Sequence, residues 1–308
     1  MVELRHLRYF LAVVEENGFT RAAARLHISQ PTLSQQIRAL ERSIGHPLFD
    51  RRPGGPRLTA AGRALLEPAT RAMTIVNDGV RAAREAAREA AGDLRVGMIY
   101  AAAGALTQSI LAAYSAAFPE VRLHFRAELP VAAAYTALTR DEVDVAFTRL
   151  PLDPAQHAWH VLYEERRVVV VHERHALADA GSVALEDILP LPILAARPAR
   201  TPTAVSDHWL LNDFRNGLAP AQFVTEAWSV PEIAQTIAHN PGVIAMCSEI
   251  ARTQTPAPGA PLRFLDVPEA GLSQAVIARR EGDHRPHVTA FCRLAATVAR
   301  GVGGTLIG

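Results

Sequence analysis

Apolar residues recur at helical spacing through roughly the first ninety positions and at strand spacing thereafter. Leu4, Leu7, Leu11 and Val14 form one stripe through LRHLRYFLAVVEENG, which predicts a helix closed by Gly18. Ala22, Ala23 and Leu26 predict a second, short helix with Thr20 as its N-cap, and His27-Ile28-Ser29 reads as a turn. Leu33, Ile37, Leu40 and Ile44 give a third helix, with Pro31 in its first position, Gln30 just outside and Gly45 as the stop. Its opposite face carries Gln30, Thr32, Ser34, Gln35 and Arg38, which are expected to point outward. HPLFDRRPGGPRLT follows as two short extended pieces around a Pro-Gly-Gly-Pro turn. Thr59 is placed to cap a long helix on which Leu66, Ala69, Met73, Val76, Val80, Ala83 and Ala87 alternate steps of three and four. Such a seam pairs helices.

From Gly92 onward the period changes. LRVGMI reads as a buried strand, followed by a helix near Gly104–Phe118, the strand VRLHFRAE, a helix around Ala133–Arg140 and the strand VDVAF. A second unit starts at RRVVVVH and continues through LPILA, a helix near Ser206–Asn216, AQFVTEA, a helix from Pro231 to His239 and GVIAMC. LRFLDV, QAVIARR and a helix over His287–Arg300 complete the chain. Alternating strands and helices predict a parallel sheet with helices on both faces, in two lobes joined near Leu162–Glu165 and Leu265–Pro268.

Composition changes this picture in one respect. All 32 basic residues other than histidine are arginine, so every permanent cation is a guanidinium, suited to forked contact with phosphate, guanine or carboxylate. The formal net charge is only +1, which argues against whole-molecule polyanion binding, but residues 1–60 hold nine arginines against five acidic residues. The basic surplus coincides with the three helices. Two cysteines, Cys247 and Cys292, read as inert buried thiols. No apolar run approaches the ~20 residues that span a bilayer, and MVELRHLRYF lacks a signal-peptide layout, so a cytoplasmic location is expected.

Catalytic patterns are not found: there is no glycine-rich phosphate loop, nucleophile elbow or Cys-x-x-Cys, and no catalytic residue is assigned. His172-Glu173-Arg174-His175 is one residue short of the His-Glu-x-x-His spacing and falls at a strand end, so surface histidines are expected and no metal or cofactor.

Two helices of any small bundle would also show a wet polar face. The detailed string AAARLHISQPTLSQQIRALERSIGHPLFDR goes further. It resembles the N-terminal helix-turn-helix of the LysR-type transcriptional regulators at Ala22, Ala23, Leu26, Ser29, Gln30, Ser34, Ile37, Leu40, Glu41, Gly45, Leu48, Phe49 and Arg51. The resemblance implies an α+β multidomain chain. Residues 1–58 would form a winged helix-turn-helix, 59–91 a dimerising linker helix, and the remainder an α/β, two-lobed, periplasmic-binding-protein-like effector domain. Lobe I would comprise 92–163 and 266–301, and lobe II 164–265.

The implied DNA contacts are Gln30, Pro31, Thr32, Ser34, Gln35 and Arg38 on the recognition helix and Arg51, Arg52 and Arg57 on the wing; Arg51 fits equally an internal anchor of the wing. Leu66, Met73, Val76 and Val80 would form the dimer seam. Aligned with the family, the effector positions are Tyr100, Ala101, Ala102, Val131, Thr148, Arg149, Arg197, Thr201, Thr203, Glu226 and Ser229. Ala101 and Val131 replace hydroxyl residues of the subfamily that senses aromatic-catabolism intermediates, which weakens a dicarboxylate held by those hydroxyls. Arg149 and Glu226 fit either ligand contact or an internal ion pair, and Ser229 with Glu232 also makes a capping box.

The expected function is transcriptional regulation through double-stranded DNA. A small carboxylate or aromatic effector would bind between the lobes, the chain would be a homodimer or homotetramer, and RNA polymerase would be a further partner. The alternative is an oligomeric small-molecule binding protein without specific DNA binding.

Overall fold

The computed structural model describes residues 2–52, 55–99, 103–104, 106–129, 133, 136–196, 202–217, 219–225, 230–254 and 260–302. The chain divides into two compact units, Met1–Ala87 and Arg88–Gly308.

The first unit contains α1 (Leu4–Glu16), α2 (Phe19–Arg25), α3 (Gln30–Ile44), the hairpin β1 (Phe49–Arg52) and β2 (Gly55–Leu58), and most of α4 (Ala60–Ala91). Phe10, Val13, Ala22, Ala23, Leu33, Ile37, Leu40 and Phe49 are buried together in its core. Phe49 joins the hairpin to the helices, its ring 5.4 Å from that of Phe10 and 5.6 Å from that of Phe19.

Three helix ends differ from the sequence expectation. Asn17, at φ 45°, closes α1, and Gly18 is already the N-cap of α2. Thr20 therefore lies inside α2 and caps nothing, because the chain reverses within a single residue and the next helix must start at Phe19. The third helix begins one residue early: Ser29 is the N-cap, its Oγ accepting from the Thr32 amide at 3.2 Å, and Gln30 is helical with Pro31 second. Proline is harmless there because the first four helical amides have no helical acceptor.

Gly45 ends α3 in the left-handed region, as expected. Thr59 caps α4, accepting from the Gly62 amide at 3.1 Å and donating to the Pro47 carbonyl at 2.7 Å. Gly62 is obligatory for this junction, since a Cβ there would stand 2.3 Å from the Leu48 carbonyl oxygen. Pro68 lies within α4 without interrupting it.

In the second unit the strands are β3 (Asp93–Ile99), β4 (Arg122–Leu129), β5 (Val145–Arg149), β6 (His157–His172), β7 (Ile193–Ala196), β8 (Gln222–Thr225), β9 (Ala245–Ser248), β10 (Leu262–Asp266) and β11 (Leu272–Arg280). The longer helices after α4 are α5 (Leu106–Ala117), α6 (Thr203–Leu210), α7 (Val230–His239) and α8 (Pro286–Val302). Helix α6 stops short of the expected Asn216 because Leu211 turns left-handed at φ 59°.

The main sheet is mixed rather than parallel. β3 pairs in parallel with β4 and β5, whereas β11 runs antiparallel to both β5 and β6. The crossing expected at Leu162–Glu165 is not a connection but the middle of one sixteen-residue strand. HAWHVLYEERRVVVVH contains no turn residue, so the chain passes between lobes without leaving the sheet. The first part of β6 pairs with β11; from Arg167 it pairs with β9 and from Val168 with β10.

Two apolar cores result. One gathers Leu94, Ile110, Tyr114, Phe147, Ile277 and Phe291; the other Val169, Val171, Ile193, Trp209, Ile237 and Met246. Cys247 belongs to the second and Cys292 to the first, and burial pushes each thiol up to about 12. They are inert side chains in separate cores.

Candidate recognition helix and effector cleft

Ser29 fixes the start of α3, so its first turns present a defined set of groups. Gln30, Pro31, Thr32, Gln35 and Arg38 are exposed. Ser34 is not: it is buried beside Leu33 and Ile37, which corrects its assignment to the outward face. Its Oγ lies 3.2 Å from the Gln30 Nε2 donor, and its carbonyl accepts from the Arg38 Nε at 3.3 Å. Ser34 therefore orients the two side chains that flank it instead of reaching out. The Thr32 hydroxyl is 2.7 Å from the capping Ser29 Oγ.

The cations of this unit fall into two sets. Arg21 donates to the Glu16 and Asn17 carbonyls and closes α1, while Arg25 pairs with Glu15 and Glu16. Arg38, Arg42 and Arg57 are exposed and have no carboxylate partner among the described residues. Arg42 escaped the sequence reading, although it lies one helical turn beyond Arg38. Glu41 was also missed as a structural residue; its Oε1 accepts from the Leu48 amide at 2.9 Å and so ties the hairpin to α3. Arg51 and Arg52 are in β1, but their side chains lie outside the described residues.

On α4 the start of the expected seam is used internally. Ala69 is buried, and Leu66 packs on the core of its own unit. Met73 and Val76 are half-buried, whereas Val80 and the neighbouring Ile75 are exposed at 46% and 70%.

In the second unit, Thr148 and Arg149 end β5, whose partner β3 runs parallel to it. Ligands of open α/β sheets bind beyond such carboxyl ends. Both residues are buried. Arg149 pairs with Glu165 of β6 at 2.5 Å and approaches the Ser273 Oγ at 3.3 Å. Glu165 also accepts from the Ile250 amide at 2.6 Å. Burial raises the Tyr163 hydroxyl, and the Arg149 cation opposes it.

The pair is not saturated: among the described residues the buried Arg149 Nη2 and Thr148 Oγ1 have no hydrogen-bond partner. Among the described residues the carboxylate partner of Arg149 is Glu165, while Glu226 lies outside them. Thr203 opens α6 and is exposed. Tyr100, Ala101, Ala102, Val131, Arg197, Thr201, Glu226 and Ser229 lie outside the described residues.

A second charged cluster holds the base of this unit. Asp144, fully buried, accepts from Arg95 Nε at 3.0 Å and Arg285 Nη2 at 2.7 Å; Asp141 binds Arg88 at 2.8 Å and Arg95 at 2.6 Å. Asp283 joins Arg280 and Arg285 at 3.0 and 2.8 Å. Burial pushes the Asp144 carboxyl up, but the guanidinium hydrogen bonds outweigh it and leave it far below the usual range. Among the described residues no three metal-ligating side chains converge. The Nδ1 atoms of His172 and His175 accept from the Arg174 and Leu177 amides.

Comparison with known proteins assigns both units. Residues 4–63 match the model of the bacterial regulatory helix-turn-helix protein, lysR family, and residues 87–300 match the LysR substrate binding domain. The chain belongs to the LysR family. The HTH-type transcriptional regulator AlsR of Bacillus subtilis is 30% identical over 300 residues, 95% of each chain. The regulator BenM of Acinetobacter baylyi is 33% identical over 225 residues, 72% of each chain. The crystal structure of full-length BenM superimposes with a TM-score of 0.52 at 28% identity, covering 98% of both chains. The protein is thus a LysR-type DNA-binding transcriptional regulator with a substrate-binding domain. No helix among the described residues is long and apolar enough to cross a membrane.

Proposed function

We propose that the chain regulates transcription in the cytoplasm as a homodimer or homotetramer, and that it is not an enzyme. The N-terminal turns of α3 read base edges, and the two lobes form a sensor of a small carboxylate or aromatic effector. The domain limits proposed for this division are 1–58, 59–91, 92–163 with 266–301, and 164–265. Supporting the DNA reading is the arrangement at the start of α3: exposed Gln30 and Gln35 follow a serine cap, with Arg38, Arg42 and Arg57 exposed and without a carboxylate partner among the described residues. Amides suit adenine edges, and free guanidinium groups suit phosphate or guanine. Arg51 and Arg52 extend this role on the hairpin. Beyond Leu66, the residues Met73, Val76 and Val80 of α4 provide the self-association seam.

The single observation that carries the sensor reading is the Arg149–Glu165 pair, buried at the carboxyl end of β5 with Arg149 Nη2 and Thr148 Oγ1 unsatisfied. Unpaired buried donors cost about 1–3 kcal/mol each, a cost that a bound carboxylate recovers. Effector binding shifts lobe closure, and with it the placement of the α3 helices on DNA, to the extent that it prefers one arrangement.

Selection of bound duplexes from a randomised pool tests the first part. Gln30→Ala relaxes sequence preference while leaving total affinity within a few fold. An unchanged selected motif would remove α3 from base recognition. DNA affinity measured with and without benzoate or acetate tests the second part, and a footprint constant across both at saturation would contradict it.

A further inference from the structure

Next to the Arg149–Glu165 pair, β6 carries a second buried guanidinium. Arg166 and Arg167 are adjacent, and strand alternation sends them to opposite faces. Arg166 is exposed and pairs with Glu249 at 2.5 Å and Asp266 at 3.3 Å. Arg167 is 94% removed from solvent, since only 6% of it remains exposed. It forms no salt bridge with any described carboxylate. Its Nη1 donates to the His208 carbonyl on α6 at 2.7 Å and lies 3.5 Å from the His208 Nδ1. The Nε is buried and has no hydrogen-bond partner among the described residues. The Nη2 likewise has no hydrogen bond among the described residues; beside it runs Gly271, where a Cβ would stand 3.9 Å away. The Nε and Nη2 hydrogens form the side-on edge of the guanidinium, the edge that grips a carboxylate with two parallel hydrogen bonds.

We propose that Arg167 is an anion-binding residue of the effector domain, and that its free Nε/Nη2 edge takes the carboxylate of a small organic acid at the crossover between the lobes. The inference rests on the sensor reading above and adds a second anchoring group to it. Three features support the assignment. An isolated buried cation is costly unless a counter-charge arrives. The carboxylate that acts on it, Asp213, is exposed and only partly offsets the burial that lowers the proton affinity of Arg167. The groups behind it fix its direction: the His208 contacts hold Nη1, and the unpartnered edge lies beside Gly271. His208 supplies no positive competitor, because burial and the Arg167 charge push its imidazole down to about 4. The site lies where β6 changes its partner from β11 to β9 and where Gly271 leads back into β11. A ligand bound there touches both lobes.

The test uses the full chain. Thermal unfolding is followed as sodium chloride is replaced by sodium acetate or sodium benzoate at fixed ionic strength. The unmodified chain gains a saturable rise in Tm with carboxylate. Arg167→Lys keeps the charge but loses the fork, and shifts the half-saturating concentration at least tenfold. Arg149→Lys separates the two sites: a response lost there but intact in Arg167→Lys would overturn the Arg167 assignment while leaving the sensor reading standing. An equal response to chloride would overturn the carboxylate fork, as would no response to either acid. Crystals of the unmodified chain soaked in 4-bromobenzoate give a reading independent of any variant. A bromine position that leaves the carboxylate within hydrogen-bond reach of Arg167 supports the proposal, and one elsewhere in the domain contradicts it.

Discussion

The two units use the same cation in opposite ways. In Met1–Ala87, Arg38, Arg42 and Arg57 are exposed and have no carboxylate partner among the described residues; in Arg88–Gly308, Arg88, Arg95, Arg280 and Arg285 are largely buried around Asp141, Asp144 and Asp283. An exposed, unpaired guanidinium costs little in water and remains available to phosphate. A buried one must be met by charge, and the base cluster meets it almost entirely from within the protein. Arg149 and Arg167 stand between these cases: Arg88 and Arg285 also keep one unsatisfied guanidinium nitrogen but sit among several carboxylates, whereas among the described residues Arg149 has only Glu165 and Arg167 has none. The contrast separates charge that holds the fold from charge kept for a partner, and each class can be disturbed separately.

The largest effect is expected at the base cluster. Asp144→Ala strands Arg95 and Arg285 without their shared carboxylate, and breaking a buried pair this way costs about 3–5 kcal/mol. Urea unfolding of the effector domain should shift to much lower concentration. The same carboxylates make that domain acid-sensitive: the folded forms of Asp144 and Asp283 hold their protons more weakly than the unfolded chain does. Their stabilisation is complete above about pH 4 and is lost as the pH falls further, which Tm measured against pH would show.

Gly62→Ala is next. The added methyl meets the Leu48 carbonyl at 2.3 Å, and relieving such a clash costs about 1–3 kcal/mol. DNA binding should fall with the stability of the first unit, while the effector domain's unfolding stays unchanged; equal stability in the variant would contradict the close α4 junction.

His208 gives a smaller, pH-dependent effect. Its folded value, about 4, lies below the unfolded one. Stability is therefore present above about pH 6.5 and drains away as the pH drops toward 4. His208→Asn should flatten that part of the profile without altering the steeper loss below it.

The smallest single effect belongs to the exposed set. Arg57→Ala or Arg42→Ala should weaken binding to all DNA sequences alike and reduce the salt slope by about one unit. A change of sequence preference instead would move these residues from phosphate contact to base reading.

How legible all this was in the sequence follows the same division. The recognition unit is written locally: Ser29, Pro31, Gly45 and the apolar steps of α3 lie within one short segment, so caps and faces follow from spacing. Even there, Ser34 was placed on the wrong side, because a small polar residue beside Leu33 fits a packed position as easily as a wet one. Thr20 misled for a related reason: a good capping residue was present, but Asn17 and Gly18 had already made the turn.

The sensor is written non-locally. Arg149 and Glu165 meet only because β5 and β6 both flank β11, a strand more than a hundred residues further on. Arg166 and Arg167 are indistinguishable in RRVVVVH, yet alternation and the partner strands put one in solvent and bury the other. No periodicity separates a paired buried arginine from an unpaired one.

The central claim is that the unpaired arginines of the first unit, with the exposed amides of α3, bind DNA in a sequence-dependent way. The most direct test is titration of the full chain with the intergenic duplex upstream of its own gene, across a series of salt concentrations and against competitor DNA. Tighter binding to that duplex, with an affinity that falls steeply and log-linearly with salt, is the predicted result. Affinity equal to that for competitor DNA, or independent of salt, would contradict it.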